Sequence, residues 1–252
     1  MDAHNYKQAE RAHFDRLAED IGAVWWGSVT VAGVQRMRRR ARAIADLVPA
    51  LKVSEPRLFE LGCGTGALTE HLAEILPMVT MTCCYISPKT IEIARQRLSN
   101  HPRITFVEGD AENTGLPSGH FNLTVGNSTL HHLNAERALR ECHRLLCPGG
   151  VLWFSEPNML NPQIALEKNV RVVGRWLQNS EDETAFFRWR VARLLRDIGF
   201  IDVEVTPYDF LHPGVPASLW RPLNALGYLL ERLPVIREFA GSLIVQARKA
   251  KP

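Results

Sequence analysis

The stretch Phe59-Glu60-Leu61-Gly62-Cys63-Gly64-Thr65-Gly66 decides the fold. RLFEL (57–61) reads as a short strand and runs straight into the glycines. Glycines there let the chain turn sharply and let a ligand approach the backbone with no Cβ in the way. A tight strand-to-helix turn without a ligand accounts for the same residues. Gly62, Gly64 and Ala67 also fit the loose G-x-G-x-x-A dinucleotide pattern. The loop alone therefore leaves the ligand open, and the flanking sequence has to choose.

Downstream, Leu68, Leu72, Ile75 and Leu76 fall on one helical face, and MVTMTCC (78–84) reads as a second strand. Ser87-Pro88 opens the next helix, Ser as cap and Pro where no N–H is needed. ITFVEG (104–109) and FNLTVG (121–126) are strands three and four. Ala138, Leu139, Cys142, Leu145 and Leu146 mark a helix, and Pro148-Gly149-Gly150 is expected to close it before strand five, VLWFSE (151–156). A helix through Leu194 and Leu195 should stop at Gly199, followed by strands FIDVEVT (200–206) and SLIVQAR (242–248). Strands alternating with helices predict an α/β, Rossmann-like, doubly wound sheet of seven mostly parallel strands with helices on both faces. Ligands of such sheets bind beyond the carboxyl ends of the strands, where the glycine turn sits. The expected division is an N-terminal helical cover over 1–56 and a domain over 57–252, with insertions at 157–183 and 207–240.

Composition narrows the class. Of 252 residues, 46% are hydrophobic and 23% charged, which suits a globular chain and excludes disorder as the main theme. Net charge is +3, too small to imply nucleic acid. Five cysteines, odd in number and without a C-x-x-C pair, predict reduced thiols rather than a disulfide framework or thiolate zinc site. The polar start MDAHNYKQAERAHFDR and the lack of ~20 consecutive apolar residues predict a cytoplasmic protein with no transmembrane segment. No metal constellation is apparent.

Read together, the pieces ELGCGTG, ISPKTIEIARQRL, VEGDAENTGLPSGHFNLTV, STLHHL and ALRECHRLLCPGGVLWFSEPN resemble the class I S-adenosylmethionine-dependent methyltransferases, in order over residues 57–156. The resemblance implies S-adenosylmethionine as cofactor. Glu60 and the backbone of Gly62, Cys63, Gly64 and Gly66 would hold its methionine end. Asp110 would accept from the adenine amine, with Ala111 and Glu112 beside it and Asn127 lining the site. Tyr85 and Ile86 would lie at the end of strand two. The cofactor's zwitterionic tail suits a carboxylate and backbone donors, and without a pyrophosphate it needs no P-loop lysine.

Tyr85 departs from the pattern, because the family places there an acid that takes both ribose hydroxyls. No Asp or Glu occurs between Glu74 and Glu92 to replace it. One hydrogen bond in place of two charge-assisted ones costs ~1–3 kcal/mol. The same gap disfavours NAD, which wants the same acid. Asn122, where the family usually has Asp, is expected to act only locally.

For catalysis the sequence offers His131 and His132 after strand four and Glu156 after strand five. A histidine there can deprotonate a hydroxyl, although LHHL also occurs where no base acts. Glu156 either orients or deprotonates substrate, or caps the next turn. Tyr208 and His212 read as lid residues or as an ordinary proline-shaped loop. The run Arg36, Arg38, Arg39, Arg40 and Arg42 reads as a solvated helix face, with attraction to an anionic substrate or membrane surface as the alternative. Trp25, Trp26, Trp176, Trp189 and Trp220 outside the core suggest an apolar pocket under a helical cover. GNST after strand four, in place of Asn/Asp-Pro-Pro-Tyr, argues against nucleobase or protein-amide substrates. The expectation is O-methylation of a small lipophilic or aromatic molecule. The alternative is a methyltransferase fold repurposed for another reaction or for binding, suggested by Tyr85.

Overall fold

The computed structural model describes residues 3–20, 29–169 and 185–251. Two helices lead: α1 (Ala3–Asp20) and α2 (Val31–Ala45), the latter capped by Thr30, whose hydroxyl accepts from the Gly33 amide at 3.0 Å. The α/β series follows: β1 (Arg57–Leu61), α3 (Ala67–Ile75), β2 (Thr80–Tyr85), α4 (Pro88–Arg97), β3 (Ile104–Glu108) and β4 (Phe121–Asn127). After a short 3-10 turn come α5 (Ala135–Leu145), β5 (Leu146–Pro157) and α6 (Pro162–Asn169). The chain ends with α7 (Arg188–Ile198), β6 (Phe200–Tyr208), α8 (Trp220–Leu230), α9 (Pro234–Arg237) and β7 (Ser242–Lys249).

The seven strands form one sheet in the order β3-β2-β1-β4-β5-β7-β6. Pairings from β3 through β5 are parallel, and β7 runs antiparallel to both β5 and β6. Alternation along each strand splits the core in two. Leu58, Met81, Leu123 and Trp153 pack with Leu68 and Leu72 of α3 and Ile44 of α2. Phe59, Leu61 and Phe154 face the other way, against Leu139 of α5 and Leu195 of α7. The chain therefore leaves β1 toward one face and β4 toward the other. A crevice opens between their carboxyl ends, as it does wherever strand order reverses in such sheets.

Local signals behave as their chemistry demands. Ser87 accepts from the Thr90 amide at 3.1 Å with Pro88 first in α4, and Gly199 ends α7 at φ +108°. Asn122 ties the start of β1, accepting from the Arg57 amide at 2.9 Å, so its effect is local as expected. One boundary differs: Pro148-Gly149-Gly150 does not separate helix from strand but belongs to β5. Leu146 already pairs with Phe121. The register then shifts before Leu123 pairs with Val151, with Gly149 at φ +78° in the irregular entry. All five cysteines are free thiols. No helix among the described residues is long and apolar enough to cross a membrane.

Candidate active site

A cavity of about 680 Å³ occupies the crevice. Its floor is the glycine turn. Gly62 and Gly64 hold φ +76° and +53°, the left-handed region that L side chains avoid. A Cβ at Gly62 would strike the Thr129 side chain at 2.2 Å, whereas a Cβ at Gly64 would meet nothing within 4 Å. Gly64 thus presents bare backbone to open space, which is the cradle a ligand needs. Gly66 stands outside the wall as the N-cap of α3 at φ +79°, packed toward Leu98. Its role is to turn the chain, and direct ligand contact is not where the structure places it.

Glu60 sits at the back of this floor, 1% exposed. It accepts from the Thr69 hydroxyl at 2.7 Å and lies 3.7 Å from the Cys83 thiol. Burial, only partly offset by these donors, raises its carboxyl to about 7. Among the described residues no cation pairs with it, so the site holds a carboxylate suited to an ammonium group. Cys63 also borders the cavity, and Thr65 accepts from Arg97 through its carbonyl at 3.0 Å, fixing the loop from α4.

Tyr85 ends β2, half-buried in the wall beside Ile86. Burial first, then Cys63 and Glu10, raises its phenol well above the ordinary value, so it stays neutral. Asp110, Ala111 and Glu112 follow β3. Asp110 Oδ1 accepts from the Glu112 amide at 2.9 Å, and its Oδ2 pairs with Lys7 of α1, which also reaches Glu112 at 3.3 Å. Asn127, at the end of β4, turns its Nδ2 to Met37 Sδ at 3.8 Å. Its Oδ1 is buried without a hydrogen bond among the described residues. The open floor, the isolated carboxylate and this orphaned oxygen all fit a zwitterionic nucleoside ligand.

Above β4 and β5 the polar groups interlock. Glu156, 1% exposed, accepts from the Thr129 and Leu130 amides, both at 2.9 Å, through Oε1. Its Oε2 lies 3.0 Å from His131 Nδ1. Glu156 thus caps the turn after β4 rather than the one that follows it, and it holds His131, a partner its sequence position did not suggest. It lies outside the cavity wall, so the structure does not place it against substrate. His131 and His132 do line the cavity. Their rings stand 4.1 Å apart, and Phe14 of α1 meets His132 edge-on at 5.4 Å. Burial, then the charges of His131, Lys168 and His13, holds His132 well below the ordinary histidine range, so it is neutral near pH 7.

Sequence reasoning missed the inner side of α2. Arg38 and Arg42 are exposed, as a solvated face requires, yet Arg36 and Arg40 turn into the cavity wall. Arg36 Nε donates to Asp209 at 2.7 Å; Arg40, 2% exposed, donates to the Tyr208 hydroxyl at 2.9 Å and lies 3.5 Å from Asp209. Two guanidinium groups thus share one carboxylate. Burial alone would raise the Asp209 carboxyl, but Arg36 and Arg40 hold it below the usual range. The i, i+4 spacing was the available signal, but nothing in sequence says which face of a basic helix is covered.

Tyr208 is not a lid residue: it is 3% exposed and tied to Arg40 and Ser155 beneath the cavity. His212 does border the cavity, its Nδ1 accepting from the Gly214 amide at 3.0 Å within its own proline-containing loop. The tryptophan cover does not materialise among the described residues. Trp189 is 53% exposed, neither it nor Trp220 borders the cavity, and Trp25, Trp26 and Trp176 lie outside the described residues. The described residues hold no cluster suited to a metal ion.

Residues 59–154 match the family model described as a methyltransferase domain. The chain is 31% identical over 225 residues to a malonyl-[acyl-carrier protein] O-methyltransferase of Geobacter sulfurreducens, covering 86% of this chain and 79% of that one. The chain belongs to the class I S-adenosylmethionine-dependent methyltransferases. It is also 31% identical over 186 residues to a trans-aconitate 2-methyltransferase of Methylobacterium radiotolerans, covering 72% of this chain and 66% of that one. Among solved structures, a methyltransferase of Thermotoga maritima described as a possible histamine N-methyltransferase shares the fold. The TM-score is 0.64 at 19% identity, over 95% of this chain and 99% of that one. This methyltransferase uses S-adenosylmethionine.

Proposed function

We propose that this methyltransferase methylates an oxygen of a small molecule that has an apolar body and an acidic group. The observation that carries the reading is His131, held through Nδ1 by buried Glu156 at 3.0 Å on the cavity wall. With Nδ1–H donated to the carboxylate, Nε2 keeps its lone pair for an acceptor hydroxyl.

The cofactor supplies an electrophilic methyl group on a sulfonium. The residues proposed to hold it are Glu60 and the Gly62–Gly64 backbone for the amino-acid end, Asp110, Ala111 and Glu112 for the adenine, and Tyr85, Ile86 and Asn127 along the wall between. His131 removes the hydroxyl proton as the oxygen becomes nucleophilic, and Glu156 stabilises the imidazolium that results. Alignment and exclusion of water do the rest, because displacement at carbon depends chiefly on geometry.

Arg36 and Arg40, two cations on one carboxylate, leave an excess positive charge that favours an anionic substituent. Leu133, Ile164 and Leu211 offer the apolar wall. Both relatives named above act, by their names, on acids, and one is an O-methyltransferase. The test is release of S-adenosylhomocysteine with panels of hydroxy acids, matched neutral alcohols and phenols, and amino acids, followed by mass analysis of the methylated atom. Turnover of hydroxy acids over their neutral counterparts supports the reading; turnover confined to amines, or indifferent to the acidic group, overturns it.

A further inference from the structure

The ribose of the cofactor wants a carboxylate, and β2 ends instead in the neutral Tyr85. The first helix brings one from elsewhere in the chain. Lys7, Glu10 and Phe14 stand at i, i+3 and i+7 of α1, on one helical face, and all three border the cavity. Lys7 pairs with Asp110 and Glu112, marking the adenine end. The Phe14 ring lies 5.5 Å from that of Tyr85. Glu10, between them, therefore spans the interval from Asp110 to Tyr85, which is where the ribose of a nucleoside seated on Asp110 falls. It is 8% exposed.

Other contacts hold that face in place. The Ser87 hydroxyl donates to Asp15 at 2.5 Å, Arg11 meets Glu108 at 2.9 Å, and Glu19 pairs with Lys89. Each joins α1 to the ends of β2 and β3 or to the start of α4.

We propose that Glu10 of α1 accepts from the cofactor's ribose hydroxyls in place of the missing acid at the end of β2, with Tyr85 as the neutral wall beside it. The charge of Glu10 already opposes ionisation of the Tyr85 hydroxyl, after burial and Cys63, which places the two groups in one electrostatic neighbourhood. A second carboxylate at position 85 would repel it, so a tyrosine there is the compatible residue.

The test measures binding of S-adenosylhomocysteine and of its 2′-deoxy and 3′-deoxy analogues by calorimetry. It needs no acceptor, so its outcome is independent of which atom is methylated. Wild type should prefer S-adenosylhomocysteine over at least one deoxy analogue by ~10-fold or more. Glu10→Gln should weaken S-adenosylhomocysteine by a similar factor while reducing that preference to within about twofold. Tyr85→Asp alone should weaken binding; in the Glu10→Gln background it should restore both affinity and preference. If Glu10→Gln melts early, Glu10→Ala carries the same expectations. The proposal is overturned if wild type shows no preference for the hydroxyls. It is equally overturned if the Glu10 variants keep wild-type affinity, or lose affinity while keeping the wild-type preference, as a purely structural role requires.

Discussion

Glu156 holds His131 by its Nδ1 at 3.0 Å while the other oxygen of the same carboxylate ties down the Thr129 and Leu130 amides. One buried side chain thus fixes both the orientation of the imidazole and the turn that carries it. His131→Ala should lower kcat for a hydroxyl acceptor at pH 7 by ~10²–10⁴-fold, with S-adenosylhomocysteine affinity within a factor of two. Steady-state rates and calorimetry check the two halves separately. A variant with near-wild-type kcat would show that the acceptor oxygen needs no base.

Glu156→Gln keeps an oxygen for the Thr129 and Leu130 amides but turns an NH2 toward His131 Nδ1. His131 then accepts at Nδ1 and carries its proton on Nε2, where a base needs a lone pair. The variant should lower kcat for a hydroxyl acceptor by ~10²-fold or more while the melting temperature stays close to that of wild type. Undiminished kcat would mean that Glu156 does not set the His131 tautomer.

Three lengths of separation explain what was legible in the sequence. The strands and the glycine turn were readable because a short apolar run ending in glycines, and the positive φ that glycine permits, are local properties of Arg57–Gly66. The β5 boundary was misread because Pro148-Gly149-Gly150 ordinarily stops a helix, and only pairing of Leu146 with Phe121 makes it strand. Arg36, Arg40 and Glu156 needed knowledge of what lies across the fold. The first two meet Asp209 far along the chain, and Glu156 faces a turn built from the preceding strand. Likewise the lack of an acid near Tyr85 in sequence concealed that α1 carries Glu10 to the same cavity.

Glu60 gives a pH dependence whose sign is set by its raised carboxyl, about 7 against an ordinary 4.5. The folded protein binds more protons there than the unfolded chain, so its contribution to stability falls as pH rises from about 4.5 to about 7. Glu60→Gln should raise the melting temperature of the ligand-free protein at pH 8, by an amount reflecting a few kcal/mol at most. The same change should weaken S-adenosylhomocysteine. For wild type, an ammonium near Glu60 favours its charged form, so binding at pH 6 should release a proton. Calorimetry in buffers of different ionisation heat reads that proton; its absence would separate Glu60 from the ligand's amino group.

Asp110 is engaged by Lys7 and by the Glu112 amide before any ligand arrives. A carboxylate accepting from an exocyclic amine is worth ~1.5–3 kcal/mol, so Asp110→Ala should weaken S-adenosylhomocysteine roughly 10- to 150-fold. Affinity within a factor of two of wild type would remove Asp110 from the adenine site.

The placement of the cofactor on the glycine turn is the claim on which all the others stand, and Gly64 tests it most directly. Its Cβ direction is open to the cavity, with nothing within 4 Å, so a side chain there meets ligand before it meets protein. Titration of Gly64→Val with S-adenosylhomocysteine, alongside wild type and with melting curves for both, is the measurement. Wild type should bind and the variant should give no heat while still unfolding cooperatively, at a temperature lowered by the strain of a branched residue at φ +53°. A folded variant that binds as tightly as wild type would contradict the account.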